Sequence, residues 1–149
     1  MVCPIDFSDP SFRAMETARE LALQFSAEVY FVTVVPLVPN FPSLAPPCRS
    51  FEAYDSARLS SAKQSLKNII DKKIPEHVIH HSVCLQGDPA EAIVKLAEKK
   101  NADLIVIATH GYSGWRHVVF GSVAEKVIRL STCPVLVIRA YKKVQSEVA

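Results

Sequence analysis

The residues best suited to chemistry lie in the stretch Ala108-Thr109-His110-Gly111-Tyr112-Ser113-Gly114 and its continuation to Gly121-Ser122. Three of the chain's four glycines fall within the eleven residues 111–121, directly after the apolar run 104–107. Glycine takes positive φ without steric cost and lets a backbone come close to a ligand, so this loop can wrap a bound group. Gly121-Ser122 followed by Val123-Ala124-Glu125-Lys126-Val127-Ile128 reads as the start of a helix. A glycine loop that delivers an exposed helix N-terminus is a physically sound anion site, with phosphate the first candidate. Taken alone, Gly111 and Gly114 fit a plain turn equally well, and Ser122 fits a helix N-cap.

The elements that must hold this loop alternate between short β-like runs and longer helical patterns. Residues 2–5 predict a first strand. Ser8 or Asp9 can cap a helix that begins at Pro10, with Ala14, Ala18, Leu21, Ala22 and Phe25 recurring on one face. Residues 29–35, β-branched and aromatic, predict the second strand. Residues 36–50 contain five of the ten prolines and read as a surface loop. Phe51, Tyr54, Ala62, Leu66, Ile69 and Ile70 mark a second amphipathic helix that stops near Pro75. A third strand follows at 78–85, with His80 and His81 on opposite faces. Gly87-Asp88-Pro89-Ala90-Glu91 reads as a helix start in which Asp88 caps and Glu91 completes a capping box. Ala90, Ile93, Val94 and Ala97 form its buried face. Strand four spans 103–108, a helix 122–130, and strand five 134–138. The order β-α-β-α-β-α-β-α-β predicts one α/β domain over residues 1–140, an open parallel sheet covered on both faces, and a polar tail at 141–149.

Composition narrows the function. A chain of 149 residues suffices for one domain with a substantial core. A net charge of +2 and Lys/Arg runs no longer than two residues give no case for nucleic acid. No apolar run approaches the roughly 20 residues that span a bilayer, so no membrane is expected. Asp6, Asp9, Glu16 and Glu20 exclude a signal peptide, and the expected compartment is the cytoplasm. Cys3, Cys48, Cys84 and Cys133 form no C-x-x-C pair; Cys3, Cys84 and Cys133 read as small core residues and Cys48 as accessible. His77, His80, His81, His110 and His117 lack zinc spacing. Trp115 reads as a packing anchor. Arg116 and His117 read first as a solvated surface, with contact to a phosphate the second reading.

Residues 107–139 resemble the C-terminal part of the universal stress protein family, whose nucleotide-binding members carry G-2x-G-9x-G-[ST]. Here the pattern runs Ala108, two residues, Gly111, nine residues, Gly121, then Ser122. Val2-Cys3-Pro4-Ile5-Asp6-Phe7-Ser8 is similar to the family's opening strand and turn, and Gly87-Asp88-Pro89 extends the likeness over nearly the whole chain. The resemblance implies a doubly wound, Rossmann-like sheet of strand order 3-2-1-4-5, with the ligand crevice between strands one and four. Pro4-Ile5-Asp6 then meets Ala108-Thr109-His110 there, beside Thr33-Val34 at the end of strand two. By the same resemblance Gly111, Gly121 and Ser122 belong to the phosphate loop, with Gly114 between them. The amides of Gly121, Ser122 and Val123 would face the phosphates. Asp6 sits at the mouth, and Pro4 and Val34 lie around adenine. Asp6 could instead simply cap the first helix. Ala108 departs from the family's glycine and sets a methyl group where ligand or loop must pack.

The implied ligand is ATP, with Mg²⁺ on its phosphates. No G-x-x-x-x-G-K-[ST], G-x-S-x-G, H-E-x-x-H or G-x-G-x-x-G occurs, and a site that holds phosphates by backbone amides reserves little for a transition state. The expectation is a binding protein more than an enzyme. Strand five is an uncharged sheet edge, a pairing hazard. The family pairs it across a two-fold axis, so a homodimer through 134–140 is expected, with unidentified protein partners. Three readings stand: a nucleotide-responsive stress protein, a dimeric interaction module of the same fold without nucleotide, and a slow ATPase.

Overall fold

The computed structural model describes residues 1–37, 50–109 and 121–139, with side chains from residue 54 onward in the second segment. Five strands and four helices alternate: β1 (Val2–Pro4), α1 (Asp9–Phe25), β2 (Val29–Val35), α2 (Ser50–Lys73), β3 (His80–Gln86), α3 (Pro89–Lys99), β4 (Ile105–Ala108), α4 (Ser122–Leu130) and β5 (Val135–Ile138). The strands form one parallel sheet in the order β3-β2-β1-β4-β5, as expected.

Side-chain alternation splits the core into two layers. Cys3, Ile5, Val29, Phe31 and Val106 face α1 and α2, where they meet Met15, Leu66 and Ile70. Val2, Val32, Ile105 and Ile107 face α3 and α4, against Ile93, Leu96, Ala124 and Val127. Burying each large apolar side chain stabilises the fold by about 1.5–3 kcal/mol. Strands buried on both faces read as continuous apolar runs, as 104–107 does.

Local chemistry sets the boundaries. Ser8 is the N-cap of α1: its Oγ accepts the Ser11 N–H at 3.3 Å, and Pro10 occupies the first turn. Val78 donates its N–H to Pro75 O in a turn, so β3 begins at His80, two residues later than expected. Gly87, at φ 134, turns β3 into α3 in a conformation that side chains disfavour, and its N–H reaches Val35 O at 3.1 Å. Asp88 Oδ1 then accepts the Glu91 N–H at 3.0 Å. The expected capping box is half made, because the Glu91 carboxylate turns to Lys126. Two residues placed on buried faces are exposed: Phe25 at 67%, at the end of α1, and Tyr54 at 58%.

Candidate functional site

A cavity of about 900 Å³ opens at the carboxyl ends of the strands. Ten of the thirteen residues expected at the site line it: Pro4, Ile5 and Asp6 from the end of β1, Thr33 and Val34 from β2, Ala108 and Thr109 after β4, and Gly121, Ser122 and Val123 at the start of α4. The other three, His110, Gly111 and Gly114, lie outside the described residues, as do Trp115, Arg116, His117 and Cys48. Segments about a hundred residues apart meet here because β1 and β4 are neighbours in the sheet.

Each wall has a definite construction. Phe7, at φ 67, swings the chain out of β1 and brings Ser8 back onto Asp6. Asp6 Oδ1 accepts both the Ser8 N–H, at 3.1 Å, and the Ser8 hydroxyl, at 2.5 Å. Ser8 is therefore the cap and Asp6 braces it, leaving Oδ2 without a partner among the described residues. Thr109 is buried; its N–H donates to Ile138 O at 3.0 Å and its carbonyl accepts the Gly121 N–H. That bond corrects one expectation: the Gly121 amide is spent on joining the end of β4 to the start of α4. The Ala108 methyl packs on the α1/α2 core layer while the residue also lines the cavity.

The N-terminus of α4 differs from those of α1 and α3. Its N-cap is Gly121, at φ −68 and ψ 149, and no side chain caps it. The first intrahelical bond runs from the Glu125 N–H to Gly121 O at 3.0 Å, so the amides of Ser122, Val123 and Ala124 precede the helix ladder. Ser122 is the first helical residue rather than the cap, and its hydroxyl has no partner among the described residues. One turn further on, Lys126 Nζ lies 3.2 Å from Asp88 Oδ2 and 3.2 Å from Glu91 Oε1. The Glu91 amide first, then Lys126, holds the Asp88 carboxyl below its ordinary value. Asp88 and then Glu91 push the Lys126 ammonium up.

The wall contributed by α2 was not anticipated. Tyr54, Ala57, Arg58, Ser61, Ala62 and Ser65 line the cavity. Their spacing of three and four residues is the available signal, because it puts them on one helix face. Elsewhere, complete burial pushes the Cys3 thiol far up, which leaves it un-ionised and inert. Among the described residues no three His, Cys, Asp or Glu side chains converge to hold a metal, and no helix is long and apolar enough to cross a membrane.

The model of the Universal stress protein family matches residues 1–139. The chain belongs to this family. Universal stress protein MJ0531 of Methanocaldococcus jannaschii is 42% identical over 145 residues, covering 96% of this chain and 83% of that protein. Among solved structures, the family's fold recurs in protein MJ0577 of the same organism, with a TM-score of 0.75 at 25% identity over 95% of each chain. A universal stress protein from Archaeoglobus fulgidus, solved in complex with dAMP, gives a TM-score of 0.58 at 28% identity over 92% of this chain and 94% of that one. Nucleotide binding is thus found within the family, on a fold that this chain shares.

Proposed function

We propose that the chain binds ATP in the cavity at the strand ends and acts as a nucleotide-responsive, dimeric stress-response protein of the cytoplasm. One observation carries the reading. The helices α1 and α3 close their own N-termini with Ser8 and Asp88, whereas α4 opens into the cavity behind a glycine that has no side chain to offer. Helix amides left in that state favour an anion, and phosphate oxygens supply the missing acceptors. Pro4, Val34 and Ile93 provide apolar surface for a base, and the cavity falls within the range of small-molecule sites. The dAMP held by the Archaeoglobus fulgidus relative is the kind of ligand this combination suits.

Mg²⁺ belongs to this reading as a partner of the phosphates, with Asp6 Oδ2 placed for a metal-bound water. When bound, the ion would neutralise phosphate charge. The chain's own part is to seat the phosphates on α4 and the base against the ends of β1 and β2. Dimerisation would use β5, which among the described residues pairs only with β4 and exposes Leu136 at 37%.

Calorimetric titration with ATP and Mg²⁺ tests the proposal, with the fluorescence of the single tryptophan, Trp115, as a second signal. Saturable binding at micromolar to millimolar ligand is the expected result. A flat response in both, with no nucleotide found by mass spectrometry of freshly purified protein, would instead favour a same-fold interaction module blocked by the Ala108 methyl. Sedimentation should give a dimer that Leu136→Lys dissociates.

A further inference from the structure

The cavity has a second polar wall, facing it from α2 on the opposite side of the sheet from α4. Arg58 is held firmly there. Its Nη1 donates to Pro36 O and to Asp55 Oδ1, each at 3.3 Å, and its guanidinium carbon lies 5.8 Å from the centre of the Tyr54 ring. Asp55 is itself gripped by Gln86, whose Nε2 donates to Oδ2 at 3.3 Å. Both bonds to the arginine fall on Nη1. The Nε–Nη2 edge, the fork that matches two oxygens of one phosphate, has no partner among the described residues. Ser61 and Ser65, three and seven residues further along the helix, line the same cavity, and their hydroxyls also lack partners among the described residues.

A prefixed guanidinium edge followed by two hydroxyls on one helix face is a donor array, and an anion is its complement. The charge of Asp55 is already shared between Arg58 and Gln86, so it fixes the guanidinium without filling the fork. We propose that this wall is a second phosphate subsite, and that the cavity which takes a 5′ nucleotide also accepts one phosphorylated on its ribose. The inference rests on the nucleotide reading above. With the 5′ phosphates on α4 and the base against the ends of β1 and β2, the 2′,3′ edge of the sugar is the part left to face the remaining wall. Arg58, Ser61 and Ser65 would then set the choice between mono- and bisphosphorylated nucleosides.

The test is calorimetry with AMP, adenosine 2′,5′-bisphosphate and adenosine 3′,5′-bisphosphate on the full chain and on Arg58→Gln, each shown to be folded by its melting curve. At least one bisphosphate should bind the wild type about tenfold or more tightly than AMP, the scale of a charge-assisted pair. Arg58→Gln should bring that bisphosphate to the level of AMP while AMP itself changes less than about twofold. AMP binding without any advantage for either bisphosphate overturns the subsite and leaves the nucleotide reading intact. An advantage that survives Arg58→Gln also overturns it. If neither AMP nor the bisphosphates bind, the subsite is overturned, and the titration with ATP and Mg²⁺ decides the nucleotide reading separately. Which of the two bisphosphates wins tells whether the sugar is read at its 2′ or its 3′ oxygen.

Discussion

The starts of α3 and α4 border the same cavity and are built in opposite ways. Asp88 seals α3 with a carboxylate on the Glu91 amide, and Lys126 balances the resulting charge. Gly121 begins α4 with no side chain at all, although its φ of −68 would suit any residue. The same unsatisfied amides are therefore closed by a side chain at one helix and left open to the cavity at the other. The absence of a cap at α4 is a choice of residue and not a demand of the backbone.

Making the two ends alike should have the largest effect. Gly121→Asp gives α4 the cap that α3 has and places a carboxylate where phosphate is proposed to sit. It should weaken ATP binding by about a hundredfold or more, since like charges at contact cost several kcal/mol. Circular dichroism and melting temperature should hardly change, because the cap itself adds only a few tenths of a kcal/mol over glycine. Normal ATP affinity in a folded Gly121→Asp protein would place the anion elsewhere.

The converse change, Asp88→Ala, removes the cap of α3. It should lower the melting temperature by roughly 2–4 °C and leave ATP affinity within about twofold. The loss should depend on pH in a fixed direction. The folded-state value of Asp88 lies below the unfolded one, so its contribution is present above the unfolded value and is lost as pH falls through the folded one. The melting difference between wild type and variant should be full at neutral pH and shrink well below pH of about 4. A difference that persists unchanged in acid would show that Asp88 acts by packing rather than by charge.

A smaller effect is expected from Lys126→Met, which leaves Asp88 and Glu91 unbalanced beside the cavity. ATP affinity should fall about two- to fivefold, the range of an exposed ion pair, more at low salt than at high. AMP, with fewer charges, should lose less. Equal losses for both ligands would make Lys126 a structural strut between α3 and α4.

Legibility in the chain followed the range of the interaction involved. Gly87-Asp88-Pro89 announced its helix because cap, first turn and positive φ are settled within a few neighbouring residues. Ser8 at the head of α1 and the apolar runs of the strands were readable for the same reason, and the element order then confined the parallel sheet to few topologies. Phe25 and Tyr54 fitted the helical period yet stand exposed, since a period says which residues share a face but not how far the neighbouring element extends over it. The glycine spacing marked a candidate phosphate loop, but the bond from Gly121 to the Thr109 carbonyl left no trace, because a backbone acceptor has no residue type to betray it.

By itself, then, the sequence determined the parallel α/β order, the two-sided burial of its strands and the cap of α3, and it narrowed the cap of α1 to Ser8 or Asp9. These follow from side-chain periodicity and local backbone preference, whereas the segments that meet at the crevice were implied by the family resemblance. The tertiary structure alone decided which face of α2 lines the cavity, that Arg58 is pinned by Pro36 and Asp55, and that Lys126 spans from α4 to the head of α3. Those partners are brought together by how helices seat on a twisted sheet. That seating depends on the packing of both core layers at once, which no short window of residues contains.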